Sequence, residues 1–123
     1  IIGRGHLTAS DVREEGRCED SIGIFPEFID GHGVLILPTT GRYFQVPFGV
    51  IVPQKVENLL AAGRIIAGDK IAHAATRSMM CCALTGQAAG VAAAVSLEDN
   101  VDTSAVDVSR VQAVLKKQGV RLD

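Results

Sequence analysis

Between Ile2 and Pro53, short apolar runs alternate with glycine, proline and acidic residues. Three of these runs have the composition and punctuation of β-strands: Ile22–Phe25, Val34–Leu37 and Tyr43–Phe48. The segment from Leu7 to Glu15 differs, because Thr8 or Ser10 can cap a short helical turn there. We therefore predict a strand-rich first part that includes one connector helix.

Downstream of Asn58 the apolar segments become longer. Leu59–Arg64 is a compact apolar run that reaches a glycine near its end, which is typical of a buried parallel strand. An alanine-rich helix is predicted from about Ser78 to about Leu97, with Thr76 and Ser78 as candidate caps. The residues between Gly63 and that helix are interpreted as a loop.

A last helix is predicted over Val108–Gln118. Asp107 is its expected N-cap, Lys116 and Lys117 lie in its final turn, and Gly119 follows directly. Strands followed by helices predict an α+β chain, or a fragment of an α/β fold. The one plausible boundary lies near Pro53, which separates residues 1–53 from residues 54–123.

Composition narrows the functional classes. The chain has 123 residues, of which 47% are hydrophobic and 21% charged, enough apolar material for one domain with a core. The formal net charge is −2 and no basic stripe occurs, so neither nucleic acid nor an anionic membrane is expected as a partner. The expected partner is a small molecule or another chain.

The three cysteines, Cys18, Cys81 and Cys82, have no C-x-x-C spacing, and no metal site is predicted. Reduced thiols favour the cytoplasm, although the compartment stays open. The chain begins with Ile1 and has no secretory signal pattern, so we expect it to be cut from a longer protein.

A membrane span is the weaker interpretation of the run from Met79 to Val95. The run contains Thr85 and Gln87 and consists mostly of alanine, so its transfer into lipid is poorly favoured. Gly86 and Gly90 lie on one helical face, which predicts close packing against a neighbouring element.

The turn after Gly63 is the candidate site, because glycine lets a ligand approach the backbone and the following helix directs free N–H groups towards it. Arg77 can hold a carboxylate of a ligand, or it can form a structural ion pair. His73 can exchange a proton with a ligand at this turn, or simply bond to the backbone. His32, between two glycines, has Asp30 nearby to orient its imidazole, but an ordinary turn residue is the better interpretation.

Three blocks in order resemble the C-terminal segment of the FAD-dependent oxidoreductases. They are Tyr43–Phe48 with Pro53, then Asn58–Arg64 with the helix containing G-Q-A-A-G, and finally Asp107–Gly119. The resemblance covers roughly Leu7 to Gly119. No G-x-G-x-x-G turn for the pyrophosphate occurs, since Gly3-Arg4-Gly5 is not followed by the required helix.

The resemblance implies that residues 1–53 belong to a substrate domain and that residues 54–123 supply the C-terminal strand and helix of a Rossmann-like FAD domain. It implies FAD contacts at six positions: Gly63, Arg64, Ser78, Met79, Met80 and Cys81. His73, which could reach the flavin face, and Arg77, which could favour an anionic flavin, would then be the catalytic candidates. The implied parent moves hydride or electrons between a small organic substrate and FAD, and its missing N-terminal segment is the expected partner.

Two further classes stay open. The chain can be a structural or interaction module that kept the fold and lost the cofactor, or a subunit associated with a membrane. A glycine-rich strand–turn–helix elsewhere in the parent would favour the enzyme.

Overall fold

Four helices and four short strands form the fold, and the computed structural model describes residues 1–123. The helices are α1 (Ala9–Arg13), α2 (Lys70–Thr76), α3 (Met79–Asp99) and α4 (Val108–Lys117). The strands are β1 (Ser21–Pro26), β2 (Ile29–Gly31), β3 (Val34–Ile36) and β4 (Tyr43–Pro47). Single 3₁₀ turns occupy Phe48–Ile51, Gly63–Ile65 and Thr103–Ala105. The predicted α+β class is confirmed.

The strands form two separate antiparallel pairs. β1 pairs with β4, so that Phe25 lies opposite Phe44, and the register shifts between Ser21 and Gly23. β2 and β3 form a hairpin whose turn carries His32, and Gly33 there has a φ of +77°. The three predicted strands are confirmed. The three-residue strand β2 was not predicted, because it is too short to show a periodic pattern.

The helix ends follow the predicted capping residues. Thr8 forms a capping box with Asp11 at the start of α1, and the Ser78 hydroxyl caps α3. Asp107 caps α4, and Gly119 beyond it has a φ of +88°. The predictions for these three helices are therefore confirmed within a few residues.

Two predictions between residues 58 and 77 are wrong. Leu59–Arg64 is not a strand: it forms one ladder-like hydrogen bond, from the Ala61 N–H to the Ile51 carbonyl, and continues into a 3₁₀ turn. A parallel strand needs partners along its edges, and no other strand lies there. The predicted loop contains helix α2, which Asp69 caps by accepting from the N–H groups of Ile71 and Ala72.

One hydrophobic cluster of 25 buried residues joins both sides of the predicted boundary at Pro53. It extends from Leu7 to Leu122, and the backbone of Leu7 bridges to Gly68. α3 packs against β1 and α4. The division into a substrate part and a cofactor part stays a prediction.

Gly5 and Gly49 let two backbone segments meet. A Cβ on Gly49 would lie 2.7 Å from the Gly5 nitrogen, so no side chain fits at this crossing. The glycines near the start of the chain therefore have a packing role here.

Candidate functional site

A cleft of about 430 Å³ lies beside the start of α3. It is lined by residues from β2, from the 3₁₀ turn after Gly63 and from both α2 and α3: Phe28, Asp30, Arg64, His73, Ala74, Arg77, Ser78 and Met79. Five of the eight predicted site residues line it, namely Arg64, His73, Arg77, Ser78 and Met79. The fold thus brings together five predicted residues that are up to 15 positions apart in the sequence.

The N-terminus of α3 provides hydrogen-bond donors beside this cleft. The backbone N–H groups of Met79 and Met80 have no acceptor within the chain, since they precede the first helical hydrogen bonds. These two residues are 84% and 75% exposed, so the rest of the chain covers little of them. The 21-residue helix adds a partial positive charge at this end.

Cys81, the third predicted FAD contact on α3, differs from Met79 and Met80. The Cys81 N–H donates to the Ser78 Oγ at 3.4 Å, so that donor is already used in capping. Its side chain is fully buried, and burial, followed by the neighbouring Cys82, raises the pKa of the thiol to about 12. Cys81 therefore stays a neutral thiol in the core and is no thiolate nucleophile.

Gly63 is held in a left-handed conformation, with a φ of +77°, by a buried threonine. The Gly63 N–H donates to the Thr85 Oγ1 at 2.9 Å. Thr85 lies 3.1 Å from the Cys81 and Cys82 carbonyls, to which its hydroxyl can donate. Thr85 thus connects the glycine turn to α3.

Arg64 and His73 meet through the backbone. The His73 Nε2 lies 3.2 Å from the Arg64 carbonyl. One of the two alternatives expected for this histidine, a bond to the backbone, is therefore present. His73 lies on α2 rather than in a loop, which corrects the sequence-based location. The Arg64 guanidinium forms no ion pair and no hydrogen bond within the chain and is exposed.

Arg77 is positioned by Asp30 on strand β2. Its Nη2 donates to the Asp30 carbonyl and lies 4.0 Å from the Asp30 carboxylate. Both side chains are largely exposed, so the ion pair contributes little to stability. Its effect is to orient the guanidinium across the space between β2 and α2.

Two other cavities adjoin this cleft. One, of about 460 Å³, shares Asp30, His73, Ala74 and Arg77 with it and adds His32 and Lys70. The other, of about 600 Å³, is mainly apolar and runs from Phe25 and Phe28 to Met80 and Leu84. Ser78 lines both the apolar cavity and the first cleft.

Sequence reasoning missed Thr85 as part of the site and considered Asp30 only as a neighbour of His32. A buried hydroxyl within an otherwise apolar helix was the available signal for Thr85, because such a group needs a partner. The contact of Asp30 with Arg77 gave no signal in the sequence, since it depends on how the hairpin packs against α2.

Two other features bear on the chemistry. No group of three or more His, Cys, Asp and Glu side chains is arranged to hold a metal ion. Helix α3 has the length and hydropathy of a membrane span, a weak criterion that core helices of soluble proteins also meet, and 39% of its apolar window is buried.

Comparison with known families gives one match. The family model described as FAD dependent oxidoreductase matches residues 1–115. Neither a curated protein nor a solved structure matches the chain significantly.

Proposed function

The chain belongs to the FAD-dependent oxidoreductase family, and on that premise we propose that it forms one wall of the FAD site in an enzyme that oxidises or reduces a small organic molecule. The observation that carries this proposal is the cleft at the start of α3, where Arg64, His73 and Arg77 lie together. FAD is the cofactor of the family, and when bound it accepts or donates the hydride or electrons.

The residues of the cleft suit a flavin with respect to charge and donors. The free N–H groups of Met79 and Met80, together with the positive end of α3, favour the pyrimidine edge, which is anionic in a reduced flavin. Gly63 leaves its backbone open to close approach. The unpaired Arg64 guanidinium can bind a phosphate oxygen of the cofactor.

His73 and Arg77 are the proposed groups for the substrate. Arg77, oriented by Asp30, can hold an anionic group of the substrate through its remaining N–H donors. His73 can exchange a proton at Nδ1, because Nε2 lies at the Arg64 carbonyl. In this arrangement the chain orients the reactants and moves a proton.

The pyrophosphate of FAD requires a further element. Gly3 and Gly5 pack closely against other parts of the chain and open no turn in front of a long helix. We therefore propose that a glycine-rich turn elsewhere in the polypeptide grips the dinucleotide, and that its segment lies against the start of α3.

The test is a visible absorption spectrum of the longest natural polypeptide that contains these residues, recorded before and after denaturation. We expect close to one equivalent of flavin, released on unfolding. The R64Q variant should bind FAD about tenfold more weakly, as loss of one charge-assisted hydrogen bond predicts.

The matched control is R121Q, which removes the same charge from an arginine outside the cleft that donates to the Asp123 backbone and lies over the Tyr43 ring. R121Q should leave FAD affinity unchanged. A colourless polypeptide that also takes up no added FAD would contradict the proposal and favour a non-catalytic interaction module. Equal affinities of R64Q and R121Q would remove Arg64 from the cofactor site.

A further inference from the structure

A second cleft shares His73 and Arg77 with the cleft at the start of α3. It has a volume of about 460 Å³, within the range of small-molecule sites. Its polar lining comes from the β2–β3 hairpin and helix α2: Asp30, His32, Lys70, His73 and Arg77. Since His73 and Arg77 line both clefts, a molecule in the second one would lie directly beside the first.

Positive charge prevails in this second cleft. The Lys70 ammonium and the His32 imidazole have no ion pair or hydrogen bond in the chain. The one carboxylate of the lining, Asp30, lies 4.0 Å from the Arg77 guanidinium. The chain as a whole carries a formal charge of −2, so this region departs from the average in sign.

The position of Lys70 gives a separate indication. It is the first residue of α2, where a positive charge opposes the helix dipole. Its charge therefore does not stabilise the helix, whereas it does increase the attraction of the cleft for anions. Val34, Ile71 and Ala74 add an apolar side to the same cleft.

We propose that this second cleft binds a small carboxylate with a short aliphatic chain, whose carboxylate lies between Lys70 and Arg77. The aliphatic part contacts Val34 and Ile71. That this ligand is the substrate rests on the proposed function, since only a bound flavin beside His73 would make it reactive. Binding of the carboxylate itself needs no flavin.

The test uses the full natural polypeptide with ¹³C-labelled histidine, with and without FAD. Pentanoate is the probe, and pentanamide is its neutral counterpart of equal length. The H32Q and H73Q variants assign the two imidazole resonances, and His6, which does not line the cleft, serves as the internal reference. We expect pentanoate, and not pentanamide, to shift the His32 and His73 signals.

The charge variants are K70Q and K55Q. K70Q should weaken pentanoate binding about three- to fivefold, as expected for an exposed ion pair, whereas K55Q should not change it. Equal shifts with pentanoate and pentanamide, or equal affinities of K70Q and K55Q, would overturn the proposal. If pentanoate binds and FAD does not, the carboxylate site stands and the proposed function fails; the reverse result leaves the function standing without this substrate class.

Discussion

At the scale of single residues, the buried carboxylate of Glu27 binds two arginine side chains. The Glu27 side chain is 7% exposed and accepts from the Arg13 Nε at 2.6 Å and the Arg42 Nε at 2.8 Å. Arg42 also donates to the Arg13 carbonyl. Glu27 therefore connects α1 with the segment that leads into β4.

We expect E27Q to lower the free energy of unfolding by about 1 to 2 kcal/mol near neutral pH, since a neutral amide replaces two charge-assisted acceptors. E57Q, at an exposed glutamate without an ion pair, should have no measurable effect. Urea unfolding followed by circular dichroism measures both. Equal stability of the two variants would show that the ion pairs contribute nothing.

The same residue gives a dependence on pH. The hydrogen bond from Arg42 has the largest influence on the pKa of Glu27. Burial opposes it and Arg13 adds to it, and together they lower this pKa below its usual value of 4.5. The folded state thus binds this proton more weakly than the unfolded state. The stabilisation is complete above pH 4.5 and is lost as the pH falls towards the folded pKa. Acid titration of unfolding should be shallower in E27Q than in the wild type.

Residue types near the cleft were predictable, whereas their partners were not. Arg64, His73 and Arg77 follow from charge and position in the sequence. The bond from Gly63 to Thr85 and the contact of Arg77 with Asp30 join residues that are 22 and 47 positions apart. Such pairs depend on how elements pack, and a single sequence carries no information about that.

At the scale of elements, the Asp69 side chain at the start of α2 connects α2 with α1. The Asp69 Oδ1 accepts from the N–H groups of Ile71 and Ala72, and the Oδ2 accepts from the Ala9 N–H at 2.7 Å. Burial would raise the pKa of Asp69, but these three donors together lower it. One carboxylate therefore caps both α1 and α2.

D69A should destabilise the protein by more than D107A, because Asp107 caps only α4. We expect a loss of about 2 kcal/mol for the double cap at Asp69 and a smaller loss for the single cap at Asp107. D69N should retain part of the difference, since its amide oxygen still accepts. Thermal unfolding of the three variants measures this order, and an equal loss in D69A and D107A would contradict it.

The elements that the sequence predicted correctly have signals within their own residues. α4 has a cap, an apolar face and a terminal glycine, and all of these are local. The strand predicted over Leu59–Arg64 is wrong because an apolar run indicates burial but does not indicate which hydrogen-bond partners are present. Helix α2 was not predicted, because its seven residues include histidine and threonine and have only a weak helical pattern.

At the scale of the whole molecule, one face of α3 is uncovered. Gly86 and Gly90 have no atom within 4 Å of the position where a Cβ would stand, and Ala83 and Ala94 beside them are exposed. Leu97 on the same helix is 82% exposed. Small residues on a helix favour close approach of another element, so we expect this face to pack against one.

A chain of these 123 residues alone should therefore self-associate through α3. A94E places a charge on the small-residue face, and burying an unpaired carboxylate there would be costly, so the variant should remain monomeric at concentrations where the wild type does not. A113E introduces the same charge at an exposed alanine of α4 and should leave the association unchanged. Sedimentation velocity over a range of concentrations distinguishes the three proteins. A monomeric wild type with a sharply cooperative thermal transition would mean that α3 needs no cover. If A94E and A113E dissociate the chain equally, net charge rather than this face controls the association.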